Sequence, residues 1–464
     1  MRIDSWLELD ETDGYSFDVL KARLEVPNPE YVSAVQLGFS TLGLHRFDPL
    51  YEEGSRDGKK VLRVPRALVN KYGTGKEVED CRVEGKKVDF KFKLKLGPFE
   101  GREEDQSDFV EAMVKSITSR TGAIGQASPG YGKTLCALAT AAKLGRTTAV
   151  LVHKSFLMNQ WIERIEEAYD IKPSEIGVVQ QGTCDFRGKK IVLIMAQSLV
   201  SSRAYPEDLY SYFGTVIVDE VHRFGAVEFR KAITMFPAKY RIGVTATPKR
   251  KDGLEEVFFG HIGDIAFVGA KKGLTARVKY IEANMVVTDS MLRGMLNWKN
   301  NFDLNKVTQY IVDCDTRNRQ IVKLVIEALK SRRKVLLLSS RRGHLNVLAE
   351  LFELECAKQK VRFAYGYYVG GMEEQDLRIT ATRPLILATF QMAQEGLDIP
   401  ALDTLFLTTP KGDIVQAVGR ILRKHPDKRE PMVIDVLDSN IKMCQNLAKK
   451  RVKQYKETGC KFDS

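Results

Sequence analysis

The chain has 464 residues, 44% apolar and 28% charged, a globular mix with room for about three domains. No apolar run approaches the ~18–20 residues of a membrane span, and the N-terminus M-R-I-D-S-W-L-E-L-D-E lacks the apolar core of a secretion signal. A net charge of +12 favours a polyanionic partner, while seven scattered cysteines without C-x-x-C pairs exclude a disulfide framework or zinc site and point to an intracellular, reducing compartment.

Residues 1–97 carry 17 Lys+Arg and 17 Asp+Glu, so they add nothing to the net charge. They read as a small strand-rich domain, with Val61–Arg66 as a strand end and a hairpin turning near Glu84-Gly85-Lys86. In Asp89–Leu96 strict alternation puts Phe90, Phe92, Leu94 and Leu96 on one face and Lys91, Lys93 and Lys95 on the other. That strip reads either as an edge strand protected by lysines or as a face for phosphates. No nucleotide motif falls here, so deleting these residues is expected to leave the catalytic set whole.

From about residue 99 strands and helices alternate. Predicted strands at 122–127, 147–152, 191–195, 215–219 and 241–245 are mostly continuous apolar runs, as in a parallel sheet covered on both faces. A second series follows at 334–338, 362–366, 385–389, 404–408 and 432–435. Residues 270–315 are more polar and read as linker plus insertion. Residues 411–464 hold 13 basic and 7 acidic side chains, a local excess of +6. The expected architecture is α/β: a small domain over 1–98, then two tandem parallel-sheet lobes over 99–282 and 283–464.

The chemistry starts at Ala127-Ser128-Pro129-Gly130-Tyr131-Gly132-Lys133-Thr134, between a strand and the helix-like run 135–144. Strand, glycine loop and helix make a phosphate cradle: the loop N–H groups and helix dipole favour the anion. Lys133 supplies charge and Thr134 a hydroxyl for Mg²⁺. The strand Ile217-Val218-Asp219-Glu220 ends in two carboxylates. Asp219 suits the Mg²⁺ shell, and Glu220 can orient and deprotonate the attacking water. In the second lobe Gln416-Ala417-Val418-Gly419-Arg420-Ile421-Leu422-Arg423 places Arg420 and Arg423 three apart, on one face of a predicted helix. They are candidates to reach across a cleft to the γ-phosphate.

Over roughly residues 99–440 these motifs resemble superfamily 2 helicases, a family of RecA-like lobes. Ala127–Thr134 resembles motif I, Asp219–His222 a DExH motif II, and Thr245-Ala246-Thr247 motif III. Leu151–Ser155 and Ala196–Leu199 are similar to strand-contacting motifs, Thr389–Asp398 to motif V, and Gln416–Arg423 to motif VI. The resemblance implies ATP and Mg²⁺, with Gln106 reading adenine and Gly396 and Asp398 completing the nucleotide site. Around Gln106 stand Glu103-Glu104-Asp105 rather than the usual basic and aromatic lead-in, and the loop opens with Ala127 rather than Gly. His222, Thr245, Thr247 and Gln416 would couple nucleotide to strand. Lys154, Ser155, Ser198, Arg341, Arg342 and Thr389 would grip nucleic-acid phosphates, joined by Lys91, Lys93 and Lys95 if that strip binds.

Within the superfamily, D-E-V-H-R-F, the run at 245–253 and Val369-Gly370-Gly371-Met372 look most like the XPB/UvsW-type DNA helicases. Compact length and a small N-terminal domain suggest a phage enzyme of the T5 type, acting in the host cytoplasm. The resemblance implies action on single-stranded and branched DNA. An RNA helicase of the DExH kind and an ATP-gated junction binder are the alternatives.

Overall fold

The computed structural model describes all residues except 38–39, 98–104, 129, 202, 226, 247, 249–252, 270–273, 396, 398, 424 and 464. The chain divides into two compact units, Met1–Lys271 and Lys272–Ser464. Among the described residues no helix is long and apolar enough to cross a membrane. None of the seven cysteines is joined in a disulfide.

The first unit opens with a sheet in the order Glu52–Arg56, Lys59–Pro65, Trp6–Asp10, Arg2–Ile3, Glu79–Asp80. The expected hairpin after it does not form. Residues 82–96 instead lie extended along the following α/β sheet, touching it through single bridges: Val83 to Ala238, Lys87 to Arg146, and Phe92 to Tyr169. Gly85 is a point of close approach rather than a hairpin turn, since a Cβ there would sit 2.3 Å from the Gly214 nitrogen. The alternation in Asp89–Leu96 has a different cause from the expected edge strand. Phe90 stacks on Tyr169 at 4.7 Å and joins the α/β core, while Lys91, Lys93 and Lys95 face outward.

The α/β sheet of this unit has eight strands, ordered Thr183–Asp185, Ile176–Gln180, Ile191–Met195, Thr148–Val152, Thr215–Asp219, Tyr240–Thr245, Gly122–Ala127, Ile265–Gly269. All neighbours are parallel except the edge strand Thr183–Asp185. The central strands Thr148–Val152 and Thr215–Asp219 are buried along their whole length, which explains their unbroken apolar runs.

Two buried arginines pin the N-terminal sheet to this α/β sheet. Arg66 donates to the carbonyls of Ala238 and Thr121 at 2.6 and 2.8 Å, and Arg241 to those of His261 and Ser5 at 2.7 and 3.2 Å. Trp6 meets His261 edge-on at 4.9 Å. Among the described residues neither guanidinium pairs with a carboxylate; main-chain oxygens accept from the Nη atoms of both, while each Nε is buried without a partner. Such groups are costly to leave bare, so the two sheets form one folding body.

The second unit holds seven parallel strands, ordered Tyr365–Tyr368, Leu385–Thr389, Val335–Ser339, Thr404–Leu407, Met432–Leu437, Arg277–Glu282, Lys461–Phe462. Arg277–Glu282 falls in the stretch expected to be linker, on the first-lobe side of residue 282. Its ladder to Met432–Leu437 puts it in the second sheet. The alternating R-V-K-Y-I-E is that of a strand near a sheet edge rather than of a fully buried one.

Candidate active site

The motif I loop leaves the strand Gly122–Ala127 and enters the helix Lys133–Leu144. Gly130 and Gly132 take φ of 76° and 97°, the left-handed region that side chains avoid. At Gly132 a Cβ would also fall 2.3 Å from Gln106 Nε2. Ala127 is fully buried, and its carbonyl accepts from Lys133 Nζ at 3.1 Å. Tyr131 turns its ring inward: its hydroxyl donates to the Asp105 carbonyl at 2.9 Å, and Phe109 and Phe267 flank the ring. The tyrosine therefore offers a ligand only its backbone. Thr134 is half-buried in the first turn of the helix. Pro129 lies outside the described residues.

Gln106 begins the helix Gln106–Ser119, which Asp105 caps. Its Nε2 donates to the Tyr131 carbonyl at 2.7 Å, tying helix to loop. Among the described residues its Oε1 is buried without a partner, as is Ser128 Oγ. Two orphaned polar atoms at the loop are what a polar ligand seated there would satisfy.

The carboxylates follow from the strand Thr215–Asp219. Asp219 is 9% exposed, and Trp161 Nε1 donates to its Oδ2 at 2.9 Å. Burial and the neighbouring Glu220 charge raise the Asp219 carboxyl. Glu220 turns the chain at φ 50°, left-handed backbone in a non-glycine residue at a chemical site. Burial opposes its ionisation, but the His222 contact and the Lys133 charge outweigh burial and lower its pKa. His222 Nδ1 sits 3.3 Å from Glu220 Oε2 and 2.9 Å from Thr245 Oγ1, so it links motif II to the end of Tyr240–Thr245. Thr247 lies outside the described residues.

Of the residues expected to grip a strand, Lys154 and Ser155 open the helix Ser155–Ala168, with Ser155 exposed. Ser198 differs: it is 7% exposed, and its hydroxyl accepts from the Gln181 N–H at 2.9 Å, so the fold already uses that oxygen. His153 lies within the Leu151–Ser155 motif. It is buried, its carbonyl accepts from Gln197, and burial followed by the Arg223 charge pushes its pKa down to about 4.

In the second unit Arg341 caps, and exposed Arg342 opens, the helix Arg342–Lys358. A Cβ on Gly370 would lie 3.4 Å from an Arg342 Nη, so its guanidinium rests over the Gly370-Gly371 turn. Thr389 ends the strand Leu385–Thr389. Gln416 and Arg420 lie on the helix Val415–Ile421, and Arg420 Nε donates to the Ala393 carbonyl at 2.8 Å. Arg423 is not on that helix. The helix caps at Leu422, ahead of the His425-Pro426 pair, and Lys428 Nζ donates to the Arg423 carbonyl at 2.7 Å. Three-residue spacing therefore does not place the two arginines on one helical face. Gly396 and Asp398 lie outside the described residues.

The family described as type III restriction enzyme, res subunit, matches residues 101–250, which hold motifs I to III. "Putative ATP-dependent RNA helicase L396" of Acanthamoeba polyphaga mimivirus is 31% identical over 333 residues, 71% of this chain and 62% of that protein. "Probable helicase D10" of Escherichia phage T5 is 27% identical over 349 residues, 73% of this chain and 71% of that protein. The chain belongs to superfamily 2 of the helicases. The crystal structure of the Pyrococcus furiosus Hef helicase domain has the same fold, with a TM-score of 0.50 at 15% identity over 74% of this chain and 97% of that one. The chain thus spans under two thirds of the mimivirus relative.

Family membership implies ATP, usually with Mg²⁺. The residues fit both. The glycine loop, Lys133 and the orphaned Gln106 Oε1 and Ser128 Oγ suit a nucleotide; Thr134 and Asp219 are the oxygen donors that would hold Mg²⁺. Trp161, absent from every motif above, is a contact of the candidate site that sequence alone misses. It stands 58 residues from Asp219, and no local pattern joins them.

Proposed function

We propose that this superfamily 2 helicase is an ATP-driven DNA motor that unwinds or branch-migrates forked and junction DNA in replication, recombination or repair. The observation that carries the reading is the continuous set Lys133, Asp219, Glu220, His222 and Thr245, in which His222 touches both the catalytic carboxylate and motif III. Glu220, held ionised, orients a water toward the γ-phosphorus. The water oxygen bonds to phosphorus as the bond to the bridging oxygen breaks, and the water proton passes to Glu220. Lys133 holds the phosphates, and Thr134 and Asp219 would hold Mg²⁺, which would supply charge neutralisation. Arg420 and Arg423 are assigned to the transition-state charge on the γ-phosphate, and Gln416 to coupling.

Phosphate contacts by Lys154, Ser155, Arg341, Arg342 and Thr389 carry no base information, which suits a motor that moves through any sequence. The N-terminal sheet with Lys91, Lys93 and Lys95 is assigned to branched-substrate recognition. ATPase rates with single-stranded DNA, duplex, fork, four-way junction and RNA test the reading. Strongest stimulation by branched or single-stranded DNA is expected; stimulation by RNA alone would replace it with the RNA-helicase reading. The name of the mimivirus relative, "Putative ATP-dependent RNA helicase L396", favours that second reading.

A further inference from the structure

The chain has three tryptophans, and two are inside: Trp6 is 9% exposed and Trp161 2%. Trp298 is 79% exposed. It stands on a turn that several bonds hold in shape. Leu296 and Phe302 bridge across the base of the turn. The Asn297 N–H donates to the Asn301 carbonyl at 2.8 Å, and Asn297 Oδ1 accepts from the N–H groups of Lys299 and Asn301 at 2.9 and 3.1 Å. Lys306 Nζ donates to the Leu296 carbonyl at 2.7 Å. Met295 and Phe302 sink into a small core with Val307 and Ile311, so the turn is mounted on the helix Leu304–Val312.

A single exposed apolar side chain is ordinary. Its surroundings are what distinguish this one. Lys299 Nζ lies 4.7 Å from the indole centroid. Arg341, assigned to backbone phosphates, donates from Nη2 to Asn305 Oδ1 at 3.2 Å, on the first turn of the helix that carries the tip. One frame in the second unit thus joins an exposed indole to two cations. Proteins that hold single strands combine these two features: aromatic faces under bases and cations along phosphates.

We propose that Trp298 is a stacking platform for an unpaired nucleobase, with Lys299 and Arg341 supplying charge for the flanking phosphates. It rests on the reading of the chain as a nucleic-acid motor and adds a contact outside its motifs. An indole face accepts any base, so the contact keeps the sequence tolerance that a motor needs.

The test is titration of the full chain with a thymidine oligonucleotide, read by tryptophan fluorescence and by anisotropy of labelled DNA across a range of salt. Quenching in the wild type that disappears in W298F identifies the tip as the contact. W298A should weaken single-strand binding on the order of 5- to 100-fold, with W298F retaining most affinity. The salt slope should not change in W298A, because stacking releases no counterion, whereas Arg341→Ala should flatten it. Unchanged thermal midpoints show that both tip variants fold. Wild-type affinity in W298A overturns the proposal, as does a dimer in sedimentation that W298A abolishes at constant DNA affinity. The parent reading fails separately, if the wild type binds no oligonucleotide and no nucleic acid stimulates its ATPase.

Discussion

The indole of Trp161 donates its N–H to Asp219 Oδ2 at 2.9 Å, from a helix whose first turn begins with the proposed strand contacts Lys154 and Ser155. One rigid element therefore runs from the nucleic-acid face to the carboxylate that would hold Mg²⁺. A hydrogen bond to a charged acceptor is worth about 1.5–3 kcal/mol. Trp161→Phe keeps most of the volume and removes the donor. Its ATP turnover should fall on the order of tenfold, the equivalent of about 1.4 kcal/mol, with the KM for ATP little changed. Steady-state kinetics decide: wild-type kcat in the Phe variant would reduce the indole to a packing group.

Lys133→Ala and Glu220→Gln should abolish turnover by different routes. The first removes charge from the phosphates and weakens nucleotide binding. The second leaves binding intact and loses about 10²–10⁴-fold in rate. Binding of a fluorescent ATP analogue separates them. More than about a tenth of wild-type turnover in Glu220→Gln would remove it from the role of base.

Arg420→Ala and Arg423→Ala should lower hydrolysis far more than ATP binding, by up to about 10³-fold for a charge that acts in the transition state. Because Arg420 also holds the Ala393 carbonyl, its Ala variant should carry a small stability loss as well. Normal turnover with weakened DNA binding would place the side chain on the strand instead.

Acid should destabilise both units through buried neutral histidines. His261 faces Arg241, Arg230 and Arg66 in the first unit, and burial followed by these charges lowers its pKa well below 6.5. In the second, His344 bonds Ser339 and Asn318 while burial and Arg317 push it down to about 3. The unfolded chain takes up these protons below pH 6.5 and the folded chain does not. Stability is therefore full above pH 6.5 and declines as pH falls, by about 1.4 kcal/mol per unit for each histidine. Denaturant unfolding across pH 6.5–4.5 measures it. His261→Phe should flatten the first unit's slope by about one proton, and a pH-independent wild type would contradict the assignment.

What sequence could reveal was set by how local each cause is. Strands such as Ile191–Met195 and Thr215–Asp219 are legible because both faces are buried, leaving an apolar run that ends where the site begins. The left-handed turn at Glu220 and the Trp161 bond are not, since they arise from packing across distant segments. Arg277–Glu282 was missed because one exposed position in two looks like linker. In the lysine strip Phe90, Phe92 and Leu96 turn to the core as the alternation expects, but Leu94 is exposed and the backbone is not paired as a strand: alternation is silent about what receives the backbone.

That pairing changes what removal of residues 1–97 should do. Phe90 and Phe92 pack on Tyr169, Arg66 fills a set of carbonyls at Thr121 and Ala238, and Trp6 covers His261. Deletion strips these from the nucleotide-binding sheet, so the truncated chain should lose thermal stability and ATPase together. The clean probe is therefore the surface strip. Lys91, Lys93 and Lys95 are exposed, and the Lys93 ammonium donates to the Glu166 carbonyl at 2.9 Å. Replacing all three by Gln leaves Phe90 and Phe92 in place and should keep the thermal midpoint. If the strip grips duplex ahead of the motor, the variant should retain ATPase stimulated by single-stranded DNA and lose much of its fork unwinding, with a shallower salt dependence of fork binding. Fork unwinding at the wild-type rate would leave the lysines as the solvated face of a strap whose work is done by its phenylalanines.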